Sequence, residues 1–263
     1  MYPQERQRTI LALAHERGDA VGAAEISELL GVTTETVRRD LEVLERQGAI
    51  SRVRGGAVLT PSLPFELALA ERQRAYAAEK HAIAQAVVAE LPRDGVVVLD
   101  SGSLTFVVAT MMPTDRRLIV VTNNLPAARV MAPMPNLEVL VLPGRVRGVT
   151  SAVVDTAVVE RLASLHVDLA IVGTNAVSIE HGLTTTVPEE AATKGAMVRC
   201  ARRRLVPVVS ERFGRTSFCH FADLREIDVV VTDDGLAPDV AEAFTAAGPD
   251  LVRAPVHPPQ ERP

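Results

Sequence analysis

Short runs of apolar residues, most of them rich in valine, constrain the fold more than any other feature of the sequence. They read GVVVLD, RLIVVT, LEVLVL, VDLAIV, LVPVVS and IDVVVT, and helical patterns or loops separate them. Because these runs are continuously apolar rather than alternating with polar residues, they predict the strands of a parallel sheet covered on both faces. The larger, C-terminal part of the chain is therefore predicted to be a mainly parallel α/β domain.

Small and polar residues follow these predicted strands. In parallel α/β sheets ligands bind at the carboxyl ends of the strands, where such loops converge. Glycine-containing loops that lead into helices can also surround a phosphate with N–H groups and hydroxyls, although local capping explains single loops of this kind. We therefore expect an anionic small molecule here. The candidate ligand-binding residues in these loops are Asp100, Ser101, Gly102, Ser103, Thr122, Asn123, Asn124, Gly144, Arg145, Gly173, Thr174 and Asn175.

Lysine is rare in this chain, which has only Lys80 and Lys194 among many arginines. Lys194 could be present because a compact point charge is needed beside an anion. Alternatively, it could be a solvated residue paired with Glu190 at helical i,i+4 spacing. The sequence leaves both interpretations open.

The first sixty residues predict helices followed by a hairpin. A helical stripe begins at Ile10, and a second short helix covers AAEISELL before a turn, GVTT, that offers an N-cap hydroxyl. In the next helix, Val37, Leu41 and Leu44 recur at helical spacing and are expected to face inward. The segments AISRV and GAVL then predict two strands joined by a glycine-containing turn.

This order of elements is typical of a winged helix-turn-helix domain, whose second helix enters the major groove of double-stranded DNA. The alternative is that Arg38 and Arg39 belong to a solvated face and pair with Glu35 and Glu42. The net charge over residues 38–58 is only +2, so the order of the elements favours DNA binding more than the charge does. The candidate DNA-contacting residues are Thr33, Thr34, Glu35, Thr36, Arg38, Arg39, Arg52, Arg54, Gly55 and Gly56.

The stretch TTETVRRDLEVLERQGAISRVRGGAV resembles the N-terminal signature of the DeoR family of bacterial transcription regulators, with its VS-x-x-TIRRDL helix and R-x-HGGA wing. The segments LDSGSLT, VVTNN, LPGRVR, VGTNAVSIEHGLTT and EEAATK resemble the effector domain of that family. The resemblance implies a fold similar to ribose 5-phosphate isomerase and a phosphorylated sugar as effector. The sequence of these segments is most similar to that of the fructose-operon repressors of GC-rich Gram-positive bacteria, which implies fructose 1-phosphate as the effector.

The chain departs from the family pattern at several positions. Leu104 replaces a threonine, and Asp155 stands where glycine is common. Within the D-x-SKFG segment, Val209 replaces the aspartate and Arg212 replaces the lysine. Arg212 could still hold a phosphate and remains a candidate effector-binding residue. The lost carboxylate is expected to change how the sugar hydroxyls are held.

The sequence predicts a winged helix-turn-helix domain over residues 1–60 and a linker with a helix over 61–78. An effector domain over 79–253 and a disordered tail over 254–263 follow. The polar first residues are unlike a signal peptide, and no run reaches the roughly 18 apolar residues of a membrane span. With two cysteines that match no metal or disulfide spacing, we expect a cytoplasmic protein without metal or cofactor.

Function is accordingly expected to be that of a DNA-binding regulator, and more specifically a repressor that a sugar phosphate releases from its operator. Pairing with repeated half-sites implies a homo-oligomer, a dimer or a tetramer. One alternative is a sugar-phosphate isomerase that uses Asp100, Glu189 or Lys194 as acid or base. The other is an activator or a DNA binder that senses no ligand.

Overall fold

The computed structural model describes residues 6, 7, 9, 10, 13, 21–46, 50–53, 56–59, 72 and 74–256. These residues belong to two compact units, one within residues 1–66 and the other within residues 67–263. Most of the predicted linker over residues 61–78 lies outside the described residues, which include 72 and 74–78 of it.

The N-terminal unit combines helices with a small antiparallel sheet. Its elements are β1 (Val21–Gly22), α1 (Ala23–Leu30), α2 (Thr34–Arg46), β2 (Ile50–Val53) and β3 (Gly56–Leu59). The strand order is β1-β3-β2. Helix α1 ends at Gly31, whose φ of 62° lies in the left-handed region that glycine adopts without strain.

Apolar side chains from the start of the chain, β1, α1 and α2 form the core of the N-terminal unit. Ile10 and Ile26 pack there with Val37, Leu41 and Leu44 of α2, and all five are almost fully buried. The predicted inward stripe of α2 is therefore confirmed. Since this stripe holds one side of α2 in the core, the opposite side is left exposed.

The C-terminal unit is built on a seven-stranded sheet with the order β15-β14-β12-β9-β4-β5-β6. All neighbouring strands pair in parallel. The strands of this sheet are β4 (Asp94–Leu99), β5 (Arg117–Thr122), β6 (Leu137–Val141), β9 (Val167–Ile171), β12 (Ala201–Pro207), β14 (Val229–Asp233) and β15 (Asp250–Ala254). The apolar runs thus predicted the type and location of the central strands correctly.

Helices cover both faces of this sheet, as the continuous apolar runs predicted. They are α3 (Ala77–Ala89), α4 (Ser103–Thr110), α5 (Leu125–Met131), α6 (Thr156–Ala163), α7 (Pro188–Cys200) and α8 (Pro238–Ala246). Neighbouring residues of one strand enter different cores: Val97 packs with α3, α4 and α5, whereas Val98 packs with α6, α7 and α8. The result is a three-layer α/β/α unit.

Short strands that follow the central ones were not predicted. They are β7 (Arg145–Arg147), β8 (Ala152–Val154), β10 (Ala176–Ser178), β11 (Gly182–Thr185) and β13 (Cys219–Ala222). Strands β7 and β8 form a hairpin, and β10, β11 and β13 form a separate antiparallel sheet. Both lie beyond the carboxyl ends of parallel strands, where they hold the loops that carry the candidate site. No helix within the described residues is long and apolar enough to cross a membrane.

Candidate DNA-binding and effector sites

Helix α2 presents a polar face that begins with a defined cap. Thr33 precedes the helix, and its hydroxyl accepts a hydrogen bond from the amide of Thr36 at 3.3 Å. The hydroxyls of these two threonines lie 2.9 Å apart. Thr33 is therefore the N-cap, and Thr34 begins the helix with its side chain exposed.

Both arginines of the RRDL motif are exposed on α2. Arg39 lies 3.5 Å from Glu35, but both side chains are mostly in solvent, with 77% and 63% of their surface exposed. Such a pair contributes about 0–1 kcal/mol, so it does not prevent Arg39 from binding a phosphate. Arg38 makes no ion pair with any described residue. The solvated-face interpretation thus applies to Arg39 only in part.

Asp40, the next residue, is a positioning residue that the sequence did not reveal. It is buried, and its carboxylate accepts hydrogen bonds from Arg6 Nε at 2.7 Å and Gln7 Nε2 at 3.1 Å. This contact ties α2 to the segment at the start of the chain. Asp40 of the RRDL motif therefore orients the helix, while Arg38 and Arg39 of the same motif face solvent.

The predicted wing is partly described. Strands β2 and β3 pair antiparallel, with Arg52 opposite Ala57. Gly56 is buried, and a Cβ there would collide with the backbone oxygen of Val21, so the structure gives this glycine a packing role. Arg54 and Gly55 lie outside the described residues.

The centre of the strand-end site is Asp100, which directly follows β4 and is fully buried. Its Oδ2 accepts hydrogen bonds from the amide of Gly173 at 2.9 Å and from Lys194 Nζ. Its Oδ1 accepts one from the amide of Ser101 at 2.7 Å. Burial raises the pKa of this carboxyl, and the positive charge of Lys194 opposes that rise.

Lys194 is almost fully buried on α7, and it donates a second hydrogen bond to the carbonyl of Gly173 at 3.0 Å. The predicted alternative of a solvated Lys194 paired with Glu190 is therefore wrong. Glu190 instead accepts hydrogen bonds from Arg147 Nη1 at 3.1 Å and from the Thr150 hydroxyl at 3.2 Å. Tertiary contacts replaced the local pair because α7 packs its lysine against the end of β4.

The loop after β5 is held by its own side chains. The Thr122 hydroxyl donates to the carbonyl of Leu99 at 2.6 Å, and Asn124 Oδ1 accepts from the amide of Ala127 to cap α5. Asn123 Nδ2 donates to the carbonyl of Val153 at 3.2 Å. Asn123 Oδ1 is buried without a hydrogen-bond partner within the described part of the chain, so it is an acceptor available to a bound hydroxyl.

The remaining candidate loops differ in how many of their polar groups are already engaged in hydrogen bonds or ion pairs within the described residues. Gly102 has a φ of 137° and precedes α4 without a side-chain cap, so amides of the first turn are open to an anion. Thr174 donates to backbone carbonyls, and Asn175 Oδ1 accepts from Thr185 at 2.9 Å. Arg145, which follows Gly144, is exposed and lies 3.7 Å from Glu189 at the rim.

Lys80, near the start of α3, was missed by the sequence reasoning. It is 6% exposed, and its Nζ donates to the carbonyls of Arg72 and of Ala75, the latter at 2.6 Å. Burial and the positive charges of Arg212 and Arg72 lower its pKa to about 8. The scarcity of lysine was the only signal that could have drawn attention to it.

The described residues include no group of three or more His, Cys, Asp or Glu side chains arranged to hold a metal ion. Cys200 and Cys219 are free thiols.

A helix-turn-helix unit with Arg38 and Arg39 exposed on α2, together with an α/β unit that carries a polar strand-end cluster, defines a DNA-binding transcriptional regulator with a sensor domain. Two family models match the chain: the DeoR-like helix-turn-helix domain over residues 6–62 and the DeoR C terminal sensor domain over residues 75–234. The chain belongs to the DeoR family. The predicted membership of the DeoR family is thereby confirmed.

Relatives match the chain over nearly its whole length. The HTH-type transcriptional regulator GlpR of Haloferax volcanii is 35% identical over 96% of this chain and 98% of its own. The HTH-type transcriptional repressor GlcR of Bacillus subtilis is 32% identical over 89% of each, and a putative aga operon transcriptional repressor of Escherichia coli O157:H7 is 30% identical over 94% and 93%. These relatives are named regulators and repressors, which supports a regulator and not the isomerase alternative.

Solved structures show more distant likeness. Ribose 5-phosphate isomerase A from Neisseria gonorrhoeae matches with a TM-score of 0.37 and 10% identity, over 51% of this chain and 52% of that one. The eIF2B delta subunit from Chaetomium thermophilum matches with a TM-score of 0.44 and 14% identity, over 74% and 62%. These scores are low, so the fold assignment rests on the parallel sheet itself and on the family models.

Proposed function

We propose that the protein is a cytoplasmic repressor of a carbohydrate-utilisation operon, and that a phosphorylated sugar releases it from its operator. The observation that carries the DNA-binding part is the exposed face of α2, where Arg38 has no ion-pair partner among the described residues. Relatives named as an aga operon repressor and a glycerol-3-phosphate regulon repressor support the link to carbohydrate use.

On DNA, α2 lies in the major groove. Arg38 and Arg39 pair with guanine edges or phosphates, while Thr34, Glu35 and Thr36 flank them. The cap at Thr33 adds amide donors that favour a phosphate oxygen. The wing residues Arg52, Arg54, Gly55 and Gly56 hold the backbone beside the groove.

The effector binds at the carboxyl ends of the parallel strands. The amides of the first turn of α4, after Gly102, suit the phosphate. Asn123 Oδ1, which has no hydrogen-bond partner within the described residues, suits a sugar hydroxyl. The buried ion pair of Asp100 and Lys194 orders the centre of the site. The residues proposed to surround the ligand are Asp100, Ser101, Gly102, Ser103, Thr122, Asn123, Asn124, Gly144, Arg145, Gly173, Thr174, Asn175, Lys194 and Arg212.

Fructose 1-phosphate is the effector we propose, by similarity to the fructose-operon repressors of GC-rich Gram-positive bacteria. A regulator named FruR in Bacillus subtilis is 28% identical over 89% of this chain. Subunits pair to match repeated half-sites, as a dimer or a tetramer. The effector lowers the DNA affinity because it binds the state of low DNA affinity more tightly than the state of high DNA affinity. The resulting coupling free energy is typically about 1–3 kcal/mol.

A thermal-shift panel tests the effector. Fructose 1-phosphate, fructose 1,6-bisphosphate, ribose 5-phosphate, glycerol 3-phosphate and the unphosphorylated sugars would be added to the purified protein. A ligand at about one hundred times its dissociation constant stabilises the native state by about 2.7 kcal/mol. We expect a selective rise with fructose 1-phosphate. A DNA affinity indifferent to every sugar phosphate would instead identify a regulator that senses no such ligand.

A further inference from the structure

The β7–β8 hairpin is bonded to the loop that follows β5. The amide of Val153 donates to the carbonyl of Asn123 at 2.7 Å, and Asn124 forms an antiparallel bridge with Ala152. All three residues of β8 are buried. Because the hairpin and the loop share these backbone bonds, a shift of the hairpin also shifts the loop.

The side chain of Asn123 takes its orientation from this hairpin. Its Nδ2 donates to the carbonyl of Val153 at 3.2 Å. A carbonyl can only accept, so it selects the amino group of the amide and turns Oδ1 to the other side. That oxygen is buried and has no hydrogen-bond partner among the residues that the structure describes. Asn123 therefore offers an acceptor whose direction depends on the position of β8.

Glu190 holds the hairpin on its other side. It lies on α7 and is 5% exposed. Its Oε1 accepts hydrogen bonds from Arg147 Nη1 of β7 at 3.1 Å and from the Thr150 hydroxyl at 3.2 Å. The Thr150 hydroxyl in turn accepts one from the amide of Ala152 in β8 at 3.4 Å. Since a buried carboxylate is stable only with such donors, and both of these come from the hairpin, Glu190 holds the hairpin against α7.

The same side of α7 also holds the centre of the strand-end site. Lys194 follows Glu190 by one helical turn, and it bonds to Asp100 at the end of β4. Burial is the main cause of the raised pKa of Asp100, and the negative charge of Glu190 adds to it. Two successive turns of α7 therefore fix the hairpin and the buried ion pair relative to each other.

The other features of the hairpin do little to hold it in place. Arg145 lies 3.7 Å from Glu189 of α7, but both side chains are mostly in solvent, so this pair contributes little. Ser151, in the turn between the strands, has a φ of 54°, which non-glycine residues rarely adopt. The turn therefore does not favour this conformation by itself, and the buried contacts of Glu190 carry more of the hold on α7.

We propose that Glu190 is a positioning residue for the effector: through the β7–β8 hairpin it sets the direction of Asn123 Oδ1, which accepts a hydrogen bond from a hydroxyl of the ligand. The proposal rests on the proposed function in taking the effector to be a sugar phosphate. Val209 is apolar where the family pattern has an aspartate, so the recognition of hydroxyls depends more on Asn123. Glu190 itself does not touch the ligand.

A double-variant cycle tests whether Glu190 acts through Asn123. Calorimetry on the full chain would measure the affinity for fructose 1-phosphate. Asn123→Ala is expected to weaken binding by about five- to tenfold, as the loss of one hydrogen bond implies. Glu190→Gln removes the charge at nearly constant size and should cause most of that loss. Together, the two changes should bind no more weakly than Asn123→Ala alone, whereas a merely structural role for Glu190 would make the losses additive.

Hydrogen exchange followed by NMR tests the positioning without a ligand. Glu190→Gln should speed exchange of the Val153 amide by roughly tenfold or more through local opening, while amides of β4 exchange as in wild type. Glu90→Gln is the matched control. Glu90 pairs with Arg203 at 2.6 Å and lies just before β4, at the amino ends of the strands. Its loss should change neither the exchange at Val153 nor the affinity for fructose 1-phosphate.

The two measurements separate this inference from the proposed function. If Glu190→Gln binds fructose 1-phosphate as tightly as wild type, or if the two losses add, the inference fails while the proposed function stands. Unchanged exchange at Val153 in Glu190→Gln would also overturn it. If the exchange is as expected but no sugar phosphate binds to the wild-type protein, the hold of Glu190 on Asn123 stands and the proposed effector class fails.

Discussion

Asp100 and Lys194 illustrate how single residues organise the sensor domain. Both side chains are almost fully buried, and they bond to each other and to the backbone of Gly173. A buried pair of this kind costs desolvation energy that is recovered only while both partners are present. The pair therefore connects the ends of β4 and β9 to α7. It also places a carboxylate and an ammonium group in the site that are bonded to each other.

Breaking the pair at one end should destabilise the protein strongly. Lys194→Met leaves the Asp100 carboxyl buried without its counter-charge, so we expect the free energy of unfolding to fall by about 3–5 kcal/mol. The chain has no tryptophan, and urea unfolding would therefore be followed by circular dichroism. Arg225→Met is the exposed control. The double variant with Asp100→Asn should recover part of the loss, and a single variant as stable as wild type would show that the pair contributes little.

Lys80 gives stability a distinctive dependence on pH. Its pKa is lowered from 10.5 to about 8 in the folded protein, so above pH 8 the unfolded chain binds more protons than the folded one. The destabilisation caused by burying the charge is fully present below pH 8 and is relieved as the pH rises toward 10.5, by roughly 3 kcal/mol. Comparing the unfolding free energies of wild type and Lys80→Met across this range isolates the effect. Parallel profiles would contradict it.

At the scale of elements, the buried and the exposed residues of α2 have different roles. Val37, Leu41 and Leu44 hold one face in the core, Asp40 fixes the helix through Arg6, and the two arginines of the RRDL motif face solvent. Such a helix can be inserted into a groove without loss of its own packing. Its exposed face is therefore available for DNA even though the chain as a whole has a net charge of -5.

Removing the exposed cations should weaken operator binding without unfolding the domain. Arg38→Ala is expected to reduce affinity for a specific duplex by about 1–3 kcal/mol if it contacts a base edge. The duplex would be selected by the wild-type protein from a random pool, and fluorescence anisotropy at fixed salt would measure binding. Arg225→Ala serves as the comparison. If Arg38→Ala and Arg39→Ala together bound as tightly as wild type, α2 would not be the recognition helix.

The sequence predicted some elements better than others for physical reasons. Continuous valine-rich runs indicated the central strands, because only strands buried on both faces tolerate such runs. Strands such as β7 and β10 have three residues each and were missed, since their pairing depends on loops that the sequence does not specify. The pairing of Lys194 also escaped prediction because Asp100 is 94 residues away, whereas Glu190 offered a local alternative.

At the scale of the whole molecule, the segment before α3 gives the sensor domain a contact that a ligand can change. Residues 72 and 75 follow the DNA-binding unit in sequence, and their carbonyls accept hydrogen bonds from Lys80. A ligand that accepts hydrogen bonds from Lys80 would compete with these carbonyls for its donors. Effector binding is coupled to DNA binding if this exchange of hydrogen bonds has a different free energy in the states of high and low DNA affinity.

Removing Lys80 should therefore leave DNA binding intact but reduce its response to the effector. Wild-type protein is expected to lose operator affinity by about 5–150-fold when fructose 1-phosphate is added, the usual range of allosteric coupling. Lys80→Gln should bind the selected duplex normally in the absence of effector, because the exposed face of α2 is unchanged, and should lose most of that response. Anisotropy titrations with and without the sugar phosphate measure both quantities. By reciprocity, bound DNA should weaken effector binding to wild type by the same factor and to the variant hardly at all. A variant that responds as strongly as wild type would show that the signal leaves the sensor domain by another route.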